Sequence, residues 1–299
     1  MRFLFSFFLF TGFVSHSWSA ACCGGGGSVP TIITSDDRAQ FAVSYGATQV
    51  VIDHVDSQGY WRRWGQHQQT QTLKIEGAHI VADRWQWGVS LPVMTRNYSD
   101  MQYSGLGDIA STLSYEYLPD WDYNPYRPRG VGFVQLNLPT GKSRAESEIG
   151  GLDSLGSGYW SLGLGTMLVK SWRDWDAFTM LEWHQSFEKN INRVSLKGVA
   201  RPGAGHNIGV GAGYNWSIYR AGINLNYVQE AAVRLYAPES ESELQGMERW
   251  ASLSASFGYM YSEEWAWSLI YTDQTLIGDP VNTSLGQGIT LQLQKRWPR

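Results

Sequence analysis

The sequence predicts an all-β fold, an antiparallel up-and-down transmembrane β-barrel of about twelve strands, on three observations. The first is a period of two: apolar and polar residues alternate in runs of about 9 to 11 residues between turn signals, the length a tilted strand needs to cross a bilayer. The second is composition. Of 299 residues, 33 are Gly, 15 Trp and 16 Tyr, while 17% are charged; helices lose stability at Gly and usually carry charged outer faces, so this balance favours strands. The third is the position of Trp85, Trp87, Trp121, Trp172, Trp175, Trp216, Trp265 and Trp297 beside one alternate set of turns, where an interfacial aromatic girdle would put them. The net charge of -4 offers no electrostatic footprint for nucleic acid, which is excluded as a partner.

The strands are expected, in order, near Ala39 to Val55, Thr70 to Val81, Trp85 to Arg96, Asp108 to Leu118, Gly130 to Pro139 and Tyr159 to Trp172. They continue near Asp176 to Asn190, His206 to Trp216, Arg220 to Tyr236, Trp250 to Tyr261, Trp265 to Thr275 and Gly288 to Trp297. The cleanest alternation runs from Ala251 to Tyr261, where Leu253, Ala255, Phe257 and Tyr259 interleave with Ser252, Ser254, Ser256 and Gly258. In another, Ala221, Ile223, Leu225 and Tyr227 oppose Arg220, Asn224 and Asn226; in a third, Val210 and Tyr214 oppose Gly211, Gly213 and Asn215. Connections alternate in length. Short ones fall around Asp83, Arg173, Ile218 and Glu263 and longer polar ones between them, as in bacterial barrels with short inner turns and long outer loops. Pro119 to Arg129 is longer than its place on the short-turn side calls for.

Residues 1–21 read as a cleavable signal peptide: Arg2 supplies the positive region, Phe3 to Val14 the apolar region, and Ser17, Ser19, Ala20 and Ala21 the small residues of a cleavage zone. Cleavage after Ser19 and after Ala21 fit equally. No other stretch approaches the roughly 18 apolar residues of a membrane-spanning helix, so an exported chain that spans a membrane must do so with strands. Cys22 and Cys23 are adjacent and cannot staple distant parts of a fold. Cys22 is a candidate for lipidation because Ala20 and Ala21 fit the small positions before an acylated cysteine. Ser19, however, stands where such a signal usually has an aliphatic residue, and the reading favours an unmodified amine. Residues 22–38, with Gly24 to Gly27 and Pro30, are expected to form a flexible Gly-rich lead-in to a barrel over 39–299.

The last strand alternates Ile289, Leu291, Leu293 and Trp297, interrupted by Lys295 and followed by Pro298 and Arg299. It is similar to the aromatic-ended closing strand that the barrel assembly machinery recognises. At Ser104-Gly105-Leu106-Gly107-Asp108, and again at Val134-Gln135-Leu136-Asn137-Leu138-Pro139-Thr140-Gly141, the chain resembles the outer-membrane family labelled meta-pathway of phenol degradation. The resemblance extends through the Gly-rich run Leu155 to Gly165 and more weakly over most of the mature chain. It implies a transporter-like barrel that passes aromatic or other small hydrophobic compounds; the label names a pathway association, and no catalytic residues carry over. Read physically, these motifs are conformational, with glycines at loop edges and Asp108 or Thr140 bonding nearby backbone. Gly141 to Ser143 is no phosphate loop, because Leu136 stands where that pattern needs Gly.

Strand parity assigns Lys74, Glu76, Arg96, Glu116, Gln135, Asn137, Glu182, His184, Glu188, Arg220, Asn224, Asn226, Glu230, Gln292 and Arg296 to the lumen. Such residues either plug a small barrel with ion pairs or line a solute path, since charged rings set selectivity in pores. No enzyme is expected. His184 and Ser186 share a face with Asn190, a spacing also found in outer-membrane phospholipase barrels. Leu181, Trp183 and Phe187, however, take the lipid side and turn His184 away from it. The few His are scattered, so neither a metal site nor a cofactor is expected. Two functions remain: passive passage of small, aromatic or hydrophobic solutes, or a structural or surface-binding barrel with a closed lumen. The implied partners are outer-membrane lipids, the barrel assembly machinery and an unidentified small-molecule solute, in the outer membrane of a Gram-negative-type bacterium.

Overall fold

The computed structural model describes residues 30–65, 67–122, 124–192, 197–237 and 240–299; the signal segment and Cys22 lie outside the described residues. In chain order the strands are β1 (Asp37–Val55), β2 (Trp61–Arg62), β3 (Gln68–Ala82), β4 (Trp85–Tyr98), β5 (Met101–Leu106), β6 (Ile109–Leu118), β7 (Arg129–Leu138), β8 (Ser161–Trp172) and β9 (Trp175–Ser186). They continue as β10 (Lys189–Asn192), β11 (Lys197–Pro202), β12 (Ala204–Trp216), β13 (Tyr219–Glu230), β14 (Val233–Ala237), β15 (Ser240–Gln245), β16 (Glu248–Met260), β17 (Trp265–Asp273) and β18 (Thr283–Pro298).

Twelve of these, β1, β3, β4, β6, β7, β8, β9, β12, β13, β16, β17 and β18, pair antiparallel with their neighbours. Pairing of β18 with β1 from Asp37↔Pro298 to Val55↔Thr283 then closes the sheet on itself. The closed barrel leaves no free edge, so its backbone groups are satisfied internally, as a spanning strand requires. The outward face is apolar: Leu73, Leu113, Leu164, Leu181, Val210, Ile223, Leu269 and Leu291 are all exposed. A surface of this kind is built to meet lipid. Trp85, Trp87, Trp172, Trp175, Trp216 and Trp297 are exposed at the short-turn end, where Trp175 packs on Tyr214 with ring centroids 4.8 Å apart.

All the predicted strands are present, but two end earlier than the alternation predicts. The run read as Asp176 to Asn190 stops at Ser186, and the run read as Arg220 to Tyr236 stops at Glu230. Their ends belong to a second, four-stranded sheet, β10-β11-β14-β15, at the long-loop end. The ladder hands over where Ala231 N–H donates to Ala204 (3.1 Å) and Gly203 N–H to Ala232 (3.2 Å), leaving Val233 and Leu235 to pack with Tyr159, Ile191 and Ala200 in a small core of their own. After β6 the chain folds back over the outer wall at Asp120 and Asn124: Lys170, on the lipid-side parity of β8, gives its ammonium to Asp120 at 2.6 Å and to the Asn124 carbonyl at 2.5 Å.

Candidate functional site

Register turns one side of every barrel strand inward. Gly211, Asn224 and Ser254 form one such row, and the adjacent row of Val210, Leu225 and Leu253 faces out. Inward glycines on β12 make room for large neighbours. A Cβ at Gly211 would lie 2.2 Å from Asn224 Oδ1 and 2.4 Å from the Phe178 ring, and one at Gly213 2.3 Å from Arg220. These residues therefore reach across the strand rather than beside it.

The short-turn mouth is braced by ion pairs. Arg220 binds Asp176 through Nη2 (2.6 Å) and Nε (3.0 Å), Arg129 Nε meets Glu116 at 2.6 Å, and Arg296 Nε meets Asp37 at 2.7 Å. Higher up, Lys74 pairs with Glu76 at 3.0 Å. A polar chain links Thr112 to Gln135 (3.3 Å), Gln135 to Asn137 (3.2 Å) and Asn137 to Ser161 (2.9 Å). Toward the long-loop end, His184 lies between Glu230, 3.0 Å from Nε2, and Glu182, 3.7 Å from Nδ1, while Asn207 donates to Glu182 at 3.3 Å. Asn226 and Gln292 share the inward register with Asn224 and Ser268.

Thus fourteen of the fifteen residues assigned to the lumen by sequence parity fall on inward register. Glu188 does not. It follows the end of β9 and pairs in the open with Arg201 of β11 at 2.9 Å. Ser186 stands opposite Ser161 on β8 and keeps the parity of His184 on β9, whereas Asn190, the third residue of the hydrolase reading, is in the separate sheet.

Two features were not read from the sequence. The first is the segment preceding β1, where a flexible lead-in is expected through residue 38. From Thr31 to Ser35 it is buried. Ile33 exchanges two hydrogen bonds with the Gln86 amide (2.6 and 3.2 Å), Thr31 donates to Glu76 (3.2 Å), and Arg129 Nη1 donates to the carbonyls of Thr34 (3.0 Å) and Ser35 (3.1 Å). Gly88 permits the approach: a Cβ there would lie 2.2 Å from the Thr31 carbonyl oxygen. The second is an apolar inner patch of Val131, Phe133, Met167 and Met180, each at most 4% exposed, with Ile32 packed against it. Its signal was available, because Val131 and Phe133 share parity with Gln135, and Met180 with Glu182.

The long-loop mouth is crossed by residues 139–160. Asp108 stitches the loop base, accepting from Gly141 N–H (3.0 Å), Ser157 N–H (2.6 Å), Ser157 Oγ (2.7 Å) and Gly158 N–H (3.3 Å). Asp153, 1% exposed, accepts from Ser147 Oγ, Glu148 N–H (3.1 Å) and Lys142 Nζ (3.3 Å). Burial alone would raise its pKa, but these bonds outweigh burial and hold the carboxyl well below the usual range. The loop reaches two well-separated strands: Arg96 Nη1 on β4 donates to the Gly151 carbonyl (3.3 Å), and Arg144 lies 3.9 Å from Glu248 on β16.

No family model matches the chain. Among solved structures it is similar to the COG4313 outer membrane channel from Pseudomonas putida F1, with a TM-score of 0.72 and 13% identity over 92% of this chain and 100% of that one. The NanC porin gives a TM-score of 0.49 and 8% identity, covering 85% and 98% of the two chains. The β domain of the Bordetella autotransporter BrkA gives 0.47 and 13%, covering 88% and 100%. At these identities the likeness is one of fold.

Proposed function

We propose that this protein is an outer-membrane channel for the passive passage of small aromatic or other hydrophobic solutes. The observation that carries the reading is the interior: a closed barrel whose inner wall joins a polar ladder to the apolar patch of Val131, Phe133, Met167 and Met180. Once Ile32 withdraws from it, such a patch offers an apolar solute burial at about 25 cal/mol per Å², and polar rows line the rest of the interior. The likeness to a barrel described as an outer membrane channel and the motif resemblance above support the same reading.

Passage requires residues 30–36 to give way. They lie outside the barrel ladder and are held by side-chain bonds and the Ile32 contact, so they can shift without opening a strand pair. The buried ion pairs and the docked segment favour a second reading, a sealed barrel whose outer loops do the recognition. Uptake of labelled phenol by a porin-depleted host separates the two. A channel accelerates uptake over the empty host, and a sealed barrel leaves it unchanged.

A further inference from the structure

The two-residue turn between β3 and β4 carries a carboxylate and a guanidinium in succession, Asp83 and Arg84, at the short-turn end. Among the described residues neither makes an ion pair or a side-chain hydrogen bond. Asp83 is exposed. Arg84 is half-buried: its Cζ lies 4.6 Å from the centroid of the Trp121 ring, and its Nε is enclosed without an acceptor. The ring comes from the connection after β6, is 65% exposed, and is held in place by its neighbours. Asp120 takes the Lys170 ammonium at 2.6 Å, while Arg127 donates to the Pro119 carbonyl at 3.0 Å and meets Asp122 at 3.3 Å. Lys170, Arg127, Asp120 and Asp122 are thus matched among themselves, and Asp83 and Arg84 are the charges left over.

This pair of charges stands at the edge of the lipid-facing wall. Beside it Trp85 packs on Tyr115 with ring centroids 4.9 Å apart, and one step further along the same face Trp87 pairs with Leu113, both exposed. An exposed apolar track of this kind suits an acyl chain. A guanidinium stacked on an aromatic ring, with an N–H edge still free, suits a phosphate diester, and a half-buried cation without a counter-ion is unfavourable until an anion completes it. A simple anion would be repelled by Asp83, whereas a headgroup that bears both a phosphate and an ammonium matches both charges. We propose that Asp83, Arg84 and Trp121 form a docking site for the headgroup of a zwitterionic phospholipid of the phosphatidylethanolamine class, in the periplasmic leaflet where short turns lie. The phosphate sits on the free edge of Arg84, the ammonium meets Asp83, and an acyl chain runs over Trp85 and Tyr115 toward Leu113.

The site lies on the outer wall, so its test is independent of passage through the lumen. Native mass spectrometry of the full chain, released from detergent micelles doped with dioleoyl phosphatidylethanolamine or dioleoyl phosphatidylglycerol, counts the lipids retained. The wild type should retain the ethanolamine lipid severalfold more than the glycerol lipid. Arg84→Gln should lower that retention roughly tenfold, the increment of about one charge-assisted hydrogen bond. Arg84→Lys should keep part of it, and Asp83→Asn should equalise the two lipids. Arg173→Gln, at a residue exposed in the turn between β8 and β9 with no aromatic ring over it among the described residues, should match the wild type. Gel mobility before and after heating reports whether each variant retains its barrel. Equal retention of both lipids by the wild type, or undiminished retention in folded Arg84→Gln, overturns the site. Soluble phosphoethanolamine competing as well as the lipid would assign the two charges to a free phosphate and overturn the lipid assignment.

Discussion

Val210 gives the sharpest test of which side of the wall meets lipid. It is the midpoint of β12, six residues from Ala204 and six from Trp216, and pairs with Leu225 in the middle of β13. At a rise of about 3.3 Å per residue and a tilt of about 40°, six residues climb roughly 15 Å, which puts Val210 near the centre of an apolar band about 25 Å tall. Val210→Arg should therefore cost about 2 to 4 kcal/mol. Ser254, on the neighbouring inward row, bonds Thr272 at 2.9 Å, so Ser254→Ala should cost only about 1 kcal/mol. Urea titration of the barrel refolded into vesicles reads both. Tolerance of Arg at Val210, with Ser254→Ala neutral or stabilising, would mean that the faces are reversed and that the wall is not lipid-facing as described.

Removing one partner of the Arg220–Asp176 pair leaves a buried charge, so Arg220→Met should destabilise the barrel by about 3 to 5 kcal/mol, with Asp176→Leu added to it restoring much of the loss in the same titration. Because Asp153 has a folded pKa below its unfolded one, its contribution is complete above about pH 4 and is lost only as pH falls through the folded value. Loop 139–160 should thus resist limited proteolysis equally at about pH 5 and 8, whereas Asp153→Asn should be cut at both. Gly88→Ala drives a Cβ into the Thr31 carbonyl and should dislodge residues 30–36, as Ile32→Asp should by placing charge in the apolar patch. Either substitution should raise single-channel conductance severalfold over wild type, and unchanged conductance in both would show that the segment does not obstruct the path.

The barrel was legible because lipid outside and an enclosed space inside impose one period on every strand, and runs such as Ala251 to Tyr261 display it without interruption. What escaped the reading lacks that period. Val233 to Ala237 continues an alternation that belongs to a different sheet, and only the two-residue break at Ala231 and Ala232 separates them. Thr31 to Ser35 reads as a short polar lead-in, since its burial depends on Gln86, Glu76 and Arg129, some 45 to 95 residues distant. Within the site, parity placed Glu182, His184 and Arg220 on the inward face but said nothing of their partners. It misplaced Glu188 because β9 ends two residues before it. The apolar patch departs from the polar character expected of inward positions, although Val131 and Met180 carry the inward parity.

Planar-bilayer recording of the purified mature chain is the most direct test of the central claim that this barrel encloses a path for solutes. The wild type should give discrete conductance steps, enlarged in Ile32→Asp and Gly88→Ala. Silence from all three at high protein load, with each folded by gel mobility, would contradict it and identify the protein as a sealed barrel.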